Sequence, residues 1–203
     1  MSRGPSKQFD PDVALTKAME VFWKYGYEAT SLSRLLDHMG IGKKSLYDTF
    51  GNKRALFLKA LEHYSTTTVA DIRHRLLAEE SSLATLGELL AEWKTDNSQP
   101  GSCGCMLGTN IADFNTDDVE VARVMQSYLR SLEDVFHGAL ARAQRRGELG
   151  PEQSPRELAQ LLLCTTQGMA LLGRVMSDGQ MLDGALQSVL SLLEPSTDGA
   201  LHA

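Results

Sequence analysis

One stretch of the sequence decides the fold: TSLSRLLDHMGIGKKSLYDTFGNK, residues 30–53. Its first half carries apolar residues at helical spacing and ends at Gly40, and its second half carries Leu46 and Phe50 one helical turn apart. Glycine readily adopts the positive φ that a tight turn between two helices needs. Two short helices joined by such a turn have the length and punctuation of a helix-turn-helix, which is therefore the predicted structure of this stretch.

Helix signals continue on both sides of this stretch. Upstream, Asp10 and Pro11 form an N-cap and first-turn pair that predicts a helix ending near Gly26. Downstream, apolar positions recur every three or four residues, no strand pattern competes, and there is no internal repeat. These further helices are predicted from residue 52 onwards and over residues 83–93, 106–114, 117–146, 158–172 and 180–194, with a stop at Pro195. The predicted fold class is all-α.

Charge is divided unevenly along the chain. The net charge of the whole chain is −6, but residues 1–60 contain ten Lys and Arg residues against six Asp and Glu residues. This N-terminal head therefore carries +4, and the remaining body carries −10. A basic head on an acidic body favours a polyanion as the partner of the head and disfavours one as the partner of the body.

Two lysines of the second short helix indicate the same partner. Lys43 and Lys44 fall in its first turn, where the helix dipole is positive and where stability alone favours acidic residues. Phosphate oxygens at this helix end would reverse that preference. Lys44 and Tyr47 lie three residues apart and off the apolar stripe, so both are predicted to face a DNA major groove. For any one of these lysines, a solvated helix face is the alternative.

Cysteine usage and the N-terminal segment indicate the compartment. The chain contains three cysteines, an odd number that makes no disulfide framework, so reduced thiols are expected. The first residues lack the apolar stretch of a secretory signal, and no run approaches the roughly 18 apolar residues of a membrane span. We therefore expect a cytoplasmic protein with no membrane association, no cofactor and no metal site.

Three segments of the head carry a resemblance to a known family. They are FWKYGYEATS at residues 22–31, MGI at residues 39–41 and SLYDTFGNK at residues 45–53. Together they resemble the N-terminal signature of the TetR-like (TetR/AcrR-type) transcriptional regulators, over about residues 9–62. The body is similar to that family in its helical plan and in GCMLG at residues 104–108. The resemblance implies a ligand-responsive repressor, not an enzyme, that binds a palindromic double-stranded DNA operator as a homodimer and is released by a small effector.

The resemblance also divides the chain into two functional parts. Residues 1–52 are predicted to form the three-helix helix-turn-helix DNA-binding domain. Residues 53–203 are predicted to form a larger helical domain for effector binding and dimerisation. The DNA-binding positions that the resemblance implies are Ser31, Tyr47 and Lys53 toward phosphates, Lys43, Lys44 and Ser45 toward bases, and Ser33 and Thr49 beside them.

The body is predicted to hold the dimer contact and the effector pocket. Its two C-terminal helices are apolar and need a cover, which either the core of the same chain or a four-helix seam with a second chain provides; the resemblance favours the seam. Gly168, Gly173 and Gly184 are small enough to let such helices approach closely. A small, apolar or aromatic effector is expected, and plain core packing is the alternative for each pocket residue. The residues assigned to the pocket are Tyr64, Trp93, Met106, Asn110, Phe114, Met125, Tyr128, Thr166 and Gln167.

Cys103 and Cys105 support an alternative function. Two thiols one residue apart near the start of a helix would gain thiolate character, which suits a redox or electrophile sensor or a cysteine-dependent enzyme. The enzyme version is weakened because the sequence holds no catalytic histidine nearby and no nucleotide-binding fingerprint. A small buried side chain is the plain structural alternative for Cys105.

Overall fold

The computed structural model describes residues 9–78, 82–114, 118–176 and 179–194. Across these ranges the chain is helical, contains no strand, and has no helix long and apolar enough to span a membrane. The all-α prediction is therefore confirmed. The helices are α1 (Pro11–Tyr25), α2 (Leu32–Met39), α3 (Lys43–Phe50), α4 (Lys53–Leu77), α5 (Leu83–Asn97), α6 (Met106–Asn110) with a 3-10 turn at Ile111–Asp113, α7 (Val119–Arg145), α8 (Pro155–Leu172) and α9 (Gln180–Leu193).

The first three helices form the predicted helix-turn-helix head. Asp10 caps α1 through two backbone amides, and Ser31 caps α2 by accepting from the amide of the third residue beyond it. Gly40 ends α2 with φ of 69°, the left-handed conformation that the turn into α3 requires. Leu35 of α2 and Leu46 of α3 are completely buried. The two short helices therefore close over α1 and the start of α4, leaving the opposite face of α3 free.

The long helices α4 and α7 pack against each other and form the centre of the body. Helix α1 also lies along α4, α8 packs on α7, and α5 packs on α8 and α9. At the junction, the ring of Phe57 in α4 lies 5.0 Å from that of Phe22 in α1 and 5.1 Å from that of Phe114, which follows α6. Head and body therefore share one continuous apolar core.

Two connecting segments differ from the sequence prediction. Helix α5 continues to Asn97 instead of ending near residue 93, and the side chains of Thr95 and Asn97 in its last turn donate to carbonyls four residues earlier. The segment predicted as one helix over residues 106–114 is a five-residue helix followed by a 3-10 turn. The predicted stop at Pro195 lies outside the described residues.

Candidate functional site

The outer face of α3 is basic and open to solvent. Lys43 and Lys44 are exposed, and Tyr47 is 45% exposed, while Leu46 and Phe50 point to the core on the other side of the helix. The first turn of α3 contains no acidic residue, and its N-cap is a glycine with no side chain to occupy the free amides. Two ammonium groups and the positive end of a helix therefore face solvent together, an arrangement suited to phosphate.

The serine and threonine residues predicted to contact DNA differ in exposure and in hydrogen bonding. Ser31 accepts from the α2 backbone as its cap, and its side chain is exposed. The hydroxyl of Ser33 lies 3.3 Å from a carboxylate oxygen of Asp37, to which it donates. Ser45 and Thr49 are half-buried along the edge of α3. Ser31 and Ser33 are therefore already hydrogen-bonded within the chain before any DNA arrives.

Two cations beside α3 rest on tyrosine rings. The ammonium of Lys53 lies 4.2 Å from the centre of the Tyr27 ring. The guanidinium of Arg34 lies 4.2 Å from the centre of the Tyr25 ring and donates to the carbonyl of Ala29. Such contacts hold a positive charge in place without neutralising it. Arg34 is a further exposed cation of the head, and it is not among the residues predicted to bind DNA.

A cavity of about 560 Å³ lies in the body, within the usual size range of small-molecule sites. Helices α4, α5, α7 and α8 and the segment before α6 enclose it, and α1 of the head closes one side. The residues that line it are Met19, Trp23, Tyr64, Thr67, Thr68, Asp71, Ile72, Trp93, Asp96, Asn97, Ser102, Cys103, Gly104, Cys105, Tyr128, Leu132, Thr166, Gln167 and Ala170.

The structure brings five of the nine predicted pocket residues to this cavity and places the other four elsewhere. The five in its wall are Tyr64, Trp93, Tyr128, Thr166 and Gln167. The other four belong to the packing around it: Met106 and Asn110 are fully buried in α6, Met125 is buried in α7, and Phe114 stacks on Phe57. All nine were predicted because they lie on helices expected to converge in the body, but only the packing of several helices decides which of them border an empty space.

Sequence reasoning missed the contribution of α1 to the cavity. Met19 and Trp23 lie one turn apart on α1, so both reach the wall from the same face of that helix. The Trp23 ring meets that of Tyr64 edge-on, with centroids 5.1 Å apart. The available signal was the pairing of an aromatic with a methionine beside the buried stripe of α1. The DNA-binding head therefore supplies part of the cavity wall.

The buried thiol of Cys105 lies in the cavity wall together with the phenols of Tyr64 and Tyr128. The sulfur of Cys105 lies 4.0 Å from the hydroxyl of Tyr128, whose ring is 5.9 Å from that of Tyr64. Burial raises the pKa of Tyr64 and of Tyr128 well above 10, so both stay neutral near pH 7. In the described ranges, no group of three or more His, Cys, Asp or Glu residues is placed to hold a metal ion.

The segment of residues 103–114 fastens the end of α1 to the body. The indole N–H of Trp23 donates to the carbonyl of Gly104 over 2.8 Å. One carboxylate oxygen of Asp113 accepts from the backbone N–H groups of Tyr27 and Glu28, at 2.8 and 3.2 Å. The Trp23 bond joins the head to Gly104 in the cavity wall, and the Asp113 bonds join the head to the segment that follows α6.

Gly26 and Asn110 complete this fastening. Gly26 has φ of 78°, and a Cβ at this position would lie 2.9 Å from the carboxylate of Asp113. The amide of Asn110 donates to the carbonyls of Met106 and Phe22, at 2.8 and 3.5 Å. Its Oδ1 atom is buried with no hydrogen-bond partner among the described residues. The junction is closely packed but leaves one polar atom unsatisfied, which costs about 1–3 kcal/mol.

The outer face of α8 is apolar and uncovered. Leu161 and Leu171 are 38% and 59% exposed, and Cys164 lies between them on the same side; Val175, just beyond the end of the helix, is 78% exposed. Gly168 lies on this stripe with open space where a Cβ would be, and Gly184 of α9 is equally open. Gly173 instead packs within the chain against the carbonyl of Asn97. Two of the three predicted small residues therefore remain available for a contact outside the chain.

Two family models match the chain in the order of its head and body. Residues 14–60 match the model described as bacterial regulatory proteins, tetR family, and residues 82–189 match the tetracyclin repressor-like C-terminal domain. The chain belongs to the TetR family. It is a helix-turn-helix regulator of transcription, as the resemblance predicts.

Relatives of known description agree with this TetR-family assignment. The chain is 35% identical over 190 residues to the HTH-type transcriptional repressor ComR of Escherichia coli, covering 92% of this chain and 88% of ComR. It is 34% identical over 193 residues to the uncharacterized HTH-type transcriptional regulator YezE of Bacillus subtilis, covering 94% of this chain and all of YezE. A solved structure of the TetR-family regulator CifR, a cysteine mutant complexed with 26-bp operator DNA, is 26% identical, with a TM-score of 0.80 over 94% of this chain and 100% of CifR.

Replacement of Asp113 tests the fastening between head and body. Asp113→Ala leaves the amides of Tyr27 and Glu28 without their acceptor, so we expect the free energy of unfolding to fall by about 1–3 kcal/mol. Asp113→Asn keeps an acceptor oxygen and is expected to lose less. Urea denaturation followed by circular dichroism measures both variants. An unfolding free energy of Asp113→Ala equal to that of the wild type would show that the carboxylate does not hold α1.

Proposed function

We propose that this TetR-family protein is a dimeric repressor that binds a palindromic operator and leaves it when a small effector enters the cavity. In this proposal residues 1–52 bind DNA, and residues 53–203 hold the effector and the dimer contact. The observation that carries it is that α1 belongs to both parts, since Trp23 of the head forms a wall of the cavity. The description of ComR as a repressor and the operator complex of CifR support the same function.

DNA binding is assigned to α3 and the residues around it. Lys44 and Tyr47 face outward together, and Lys43, Lys44 and Ser45 are proposed to reach base edges in the major groove. Ser31, Tyr47 and Lys53 are proposed to position the head on phosphates, with Ser33 and Thr49 beside them. The ammonium of Lys53 rests on the Tyr27 ring and forms no ion pair with a described residue, so it can turn toward a phosphate without giving up a salt bridge.

Dimerisation is assigned to the uncovered face of α8 together with α9. Exposure of such an apolar stripe to water is unfavourable, so the stripe is expected to contact another protein surface. Two copies meeting on this face would form a four-helix seam and place two heads side by side. Half-sites of a palindromic operator lie one helical turn of DNA apart, about 34–36 Å, so the seam fixes the spacing between the two α3 helices.

Release is assigned to the contacts between the cavity and α1. An effector that displaces Trp23 or the segment of residues 103–114 would loosen the hydrogen bond to Gly104 and shift the Asp113 contact. The head would then tilt, and the two α3 helices would no longer match adjacent major grooves. For this to release the operator, the effector must bind the tilted state more tightly than the DNA-bound state.

Truncation of the α3 face tests DNA binding. In Lys44→Ala/Tyr47→Ala, we expect affinity for the operator to fall at least about 30-fold, because two DNA contacts are lost and each contributes about 1–3 kcal/mol. Fragments upstream of the protein's own gene serve as DNA, and fluorescence anisotropy at two salt concentrations measures the affinity. Arg130→Ala, which removes an exposed cation of α7, is the control and is expected to bind like the wild type. Equal binding by the double variant and this control would reject α3 as the reading helix.

A charge in the apolar stripe of α8 tests the dimer. Leu171→Glu places a carboxylate in the proposed seam, where its desolvation opposes association, so we expect monomers in analytical ultracentrifugation. Val119→Glu puts the same charge at an apolar residue of α7 that is 75% exposed, and this control is expected to remain dimeric. If Leu171→Glu stays dimeric, the seam lies on another face.

The two thiols in the cavity wall favour a second candidate, a sensor of electrophiles. Cys103 is half-buried and Cys105 buried, and both border the cavity, so an electrophile that enters it meets sulfur directly. Addition of a thiolate to an activated double bond joins sulfur to carbon, and a proton then completes the neighbouring carbon. The cavity wall contains no histidine among its described residues to act as a base, so the cysteine-dependent enzyme is not proposed.

Maleimide treatment separates this candidate from reversible effector binding. We expect N-ethylmaleimide to lower operator affinity of the wild type if Cys103 or Cys105 is the sensing group, and to leave Cys103→Ser/Cys105→Ser unaffected. Cys164→Ser is the matched control, because Cys164 is exposed on α8 and outside the cavity. Intact-mass spectrometry counts the adducts. Loss of DNA binding that persists in the double variant would place the reactive thiol at Cys164 and end this candidate.

A further inference from the structure

The wall of the cavity contains acidic residues as well as aromatic ones. Asp71 of α4 and Asp96 of α5 both lie in its wall, and both residues are exposed, which places them on the solvent side of the cavity. Among the described residues that line it there is no lysine, arginine or histidine. The wall therefore presents two negative charges and no positive one.

Two cations close in sequence to these carboxylates, Arg75 and Lys94, are bound to other partners. Arg75, one turn beyond Asp71, donates to both carboxylate oxygens of Glu92, at 2.8 and 2.9 Å. That hydrogen bonding lowers the pKa of Glu92, as a firmly held pair requires. Lys94, two residues before Asp96, lies 2.5 Å from a carboxylate oxygen of Asp183.

Asp71 and Asp96 themselves form no ion pair within 4.0 Å in the part of the chain that the structure describes. Asp71 attracts Arg75 through space and thereby helps to raise its pKa, but the two do not pair. Carboxylates at the mouth of a cavity, with low-dielectric walls behind them, focus a negative potential into it. The net charge of −10 on residues 61–203 has the same sign.

The aromatic residues of the cavity wall also favour a positively charged ligand. Trp23, Tyr64 and Tyr128 form a chain of adjoining rings, and Trp93 borders the same space. The faces of aromatic rings are electron-rich and attract cations, with tryptophan the strongest. Burial raises the pKa of both tyrosines, so they remain neutral and add no negative charge to the wall near pH 7.

We propose that the cavity binds an organic cation, an amine or quaternary ammonium group attached to an aromatic or apolar body. The positive group lies near Asp71 and Asp96, and the apolar body lies among the aromatic rings. This inference rests on the proposed function, because it names the chemical class of the effector. It goes beyond the expectation of an apolar or aromatic effector, since a neutral ligand of the same shape would leave both carboxylates unpaired.

Intrinsic fluorescence tests this without any DNA. The chain contains two tryptophans, and both border the cavity, so a bound ligand changes the emission of each. The probes are benzyltrimethylammonium, its neutral isostere neopentylbenzene, and the anion phenylacetate, none of which absorbs at an excitation wavelength of 295 nm. We expect the cation to bind at least about tenfold more tightly than the neutral isostere, and the anion to bind weakest.

Carboxylate variants locate the charge that makes the difference. We expect Asp71→Asn and Asp96→Asn each to weaken binding of the cation about three- to tenfold, and the double variant to abolish its advantage over neopentylbenzene. Glu88→Gln is the matched control, because it removes one exposed carboxylate of α5 outside the cavity and is expected to bind like the wild type. Circular dichroism verifies that each variant is folded. Equal affinity for the cation and neopentylbenzene in the wild type, an absence of fluorescence change with the cation, or equal losses in Glu88→Gln and the Asp variants would overturn the proposal.

Operator release separates this inference from the proposed function. If the cation changes tryptophan emission through Asp71 and Asp96 but leaves operator affinity unchanged, the cation site stands and ligand-driven release fails. If neutral or anionic aromatics release the operator and the cation does not, release stands and the cationic class is overturned.

Discussion

The carboxylate of Asp113 is the contact on which the arrangement of the molecule depends most. It accepts from two consecutive backbone amides, those of Tyr27 and Glu28, immediately after α1 ends. Because α2 and α3 follow directly, whatever holds this point also sets the direction of the helix-turn-helix. The close approach of Asp113 to Gly26 requires a residue without a side chain there, so the junction has one geometry available to it. The carboxylate of Asp113, which belongs to the body, therefore helps to set the position of α3.

Through Trp23, that junction is in contact with the cavity wall, and our proposal assigns the coupling between ligand and DNA binding to this contact. Trp23 contributes one ring to the cavity wall and one N–H to the carbonyl of Gly104, so a single side chain takes part in both. The stacked rings of Phe57 and Phe114 stabilise the same interface through apolar burial. The unsatisfied oxygen of Asn110 offsets part of that stability. The apolar contacts favour one position of the head, and the unsatisfied oxygen lowers the free energy needed to move the head away from it.

The distribution of charge follows the division of labour between the two parts. The head places Lys43 and Lys44 at the positive end of α3, where only a bound anion makes them favourable. The body is acidic and places Asp71 and Asp96 at the cavity with no basic residue among the described lining. In our proposals, the basic head binds DNA and the acidic body binds a positively charged ligand. The same electrostatic rule therefore acts at both candidate sites, with opposite sign.

The sequence by itself determined the head. The cap at Asp10, the cap at Ser31, the left-handed turn at Gly40 and the spacing of Leu46 and Phe50 are each settled by residues within one or two turns. Their outcome is therefore readable from the chain in order. The same holds for the all-α class and for the exposed face of α3.

Only the tertiary structure decided where the body contains a cavity. Helical spacing marks a residue as inward-facing, but it does not say whether another helix fills the space opposite, so Met125 and Phe114 pack in the core while Tyr64 and Tyr128 border the cavity. The contribution of Trp23 depends on α1 lying along α4, and the fastening by Asp113 joins residues 86 positions apart. Contacts at such separations are set by how helices pack, which no local pattern specifies.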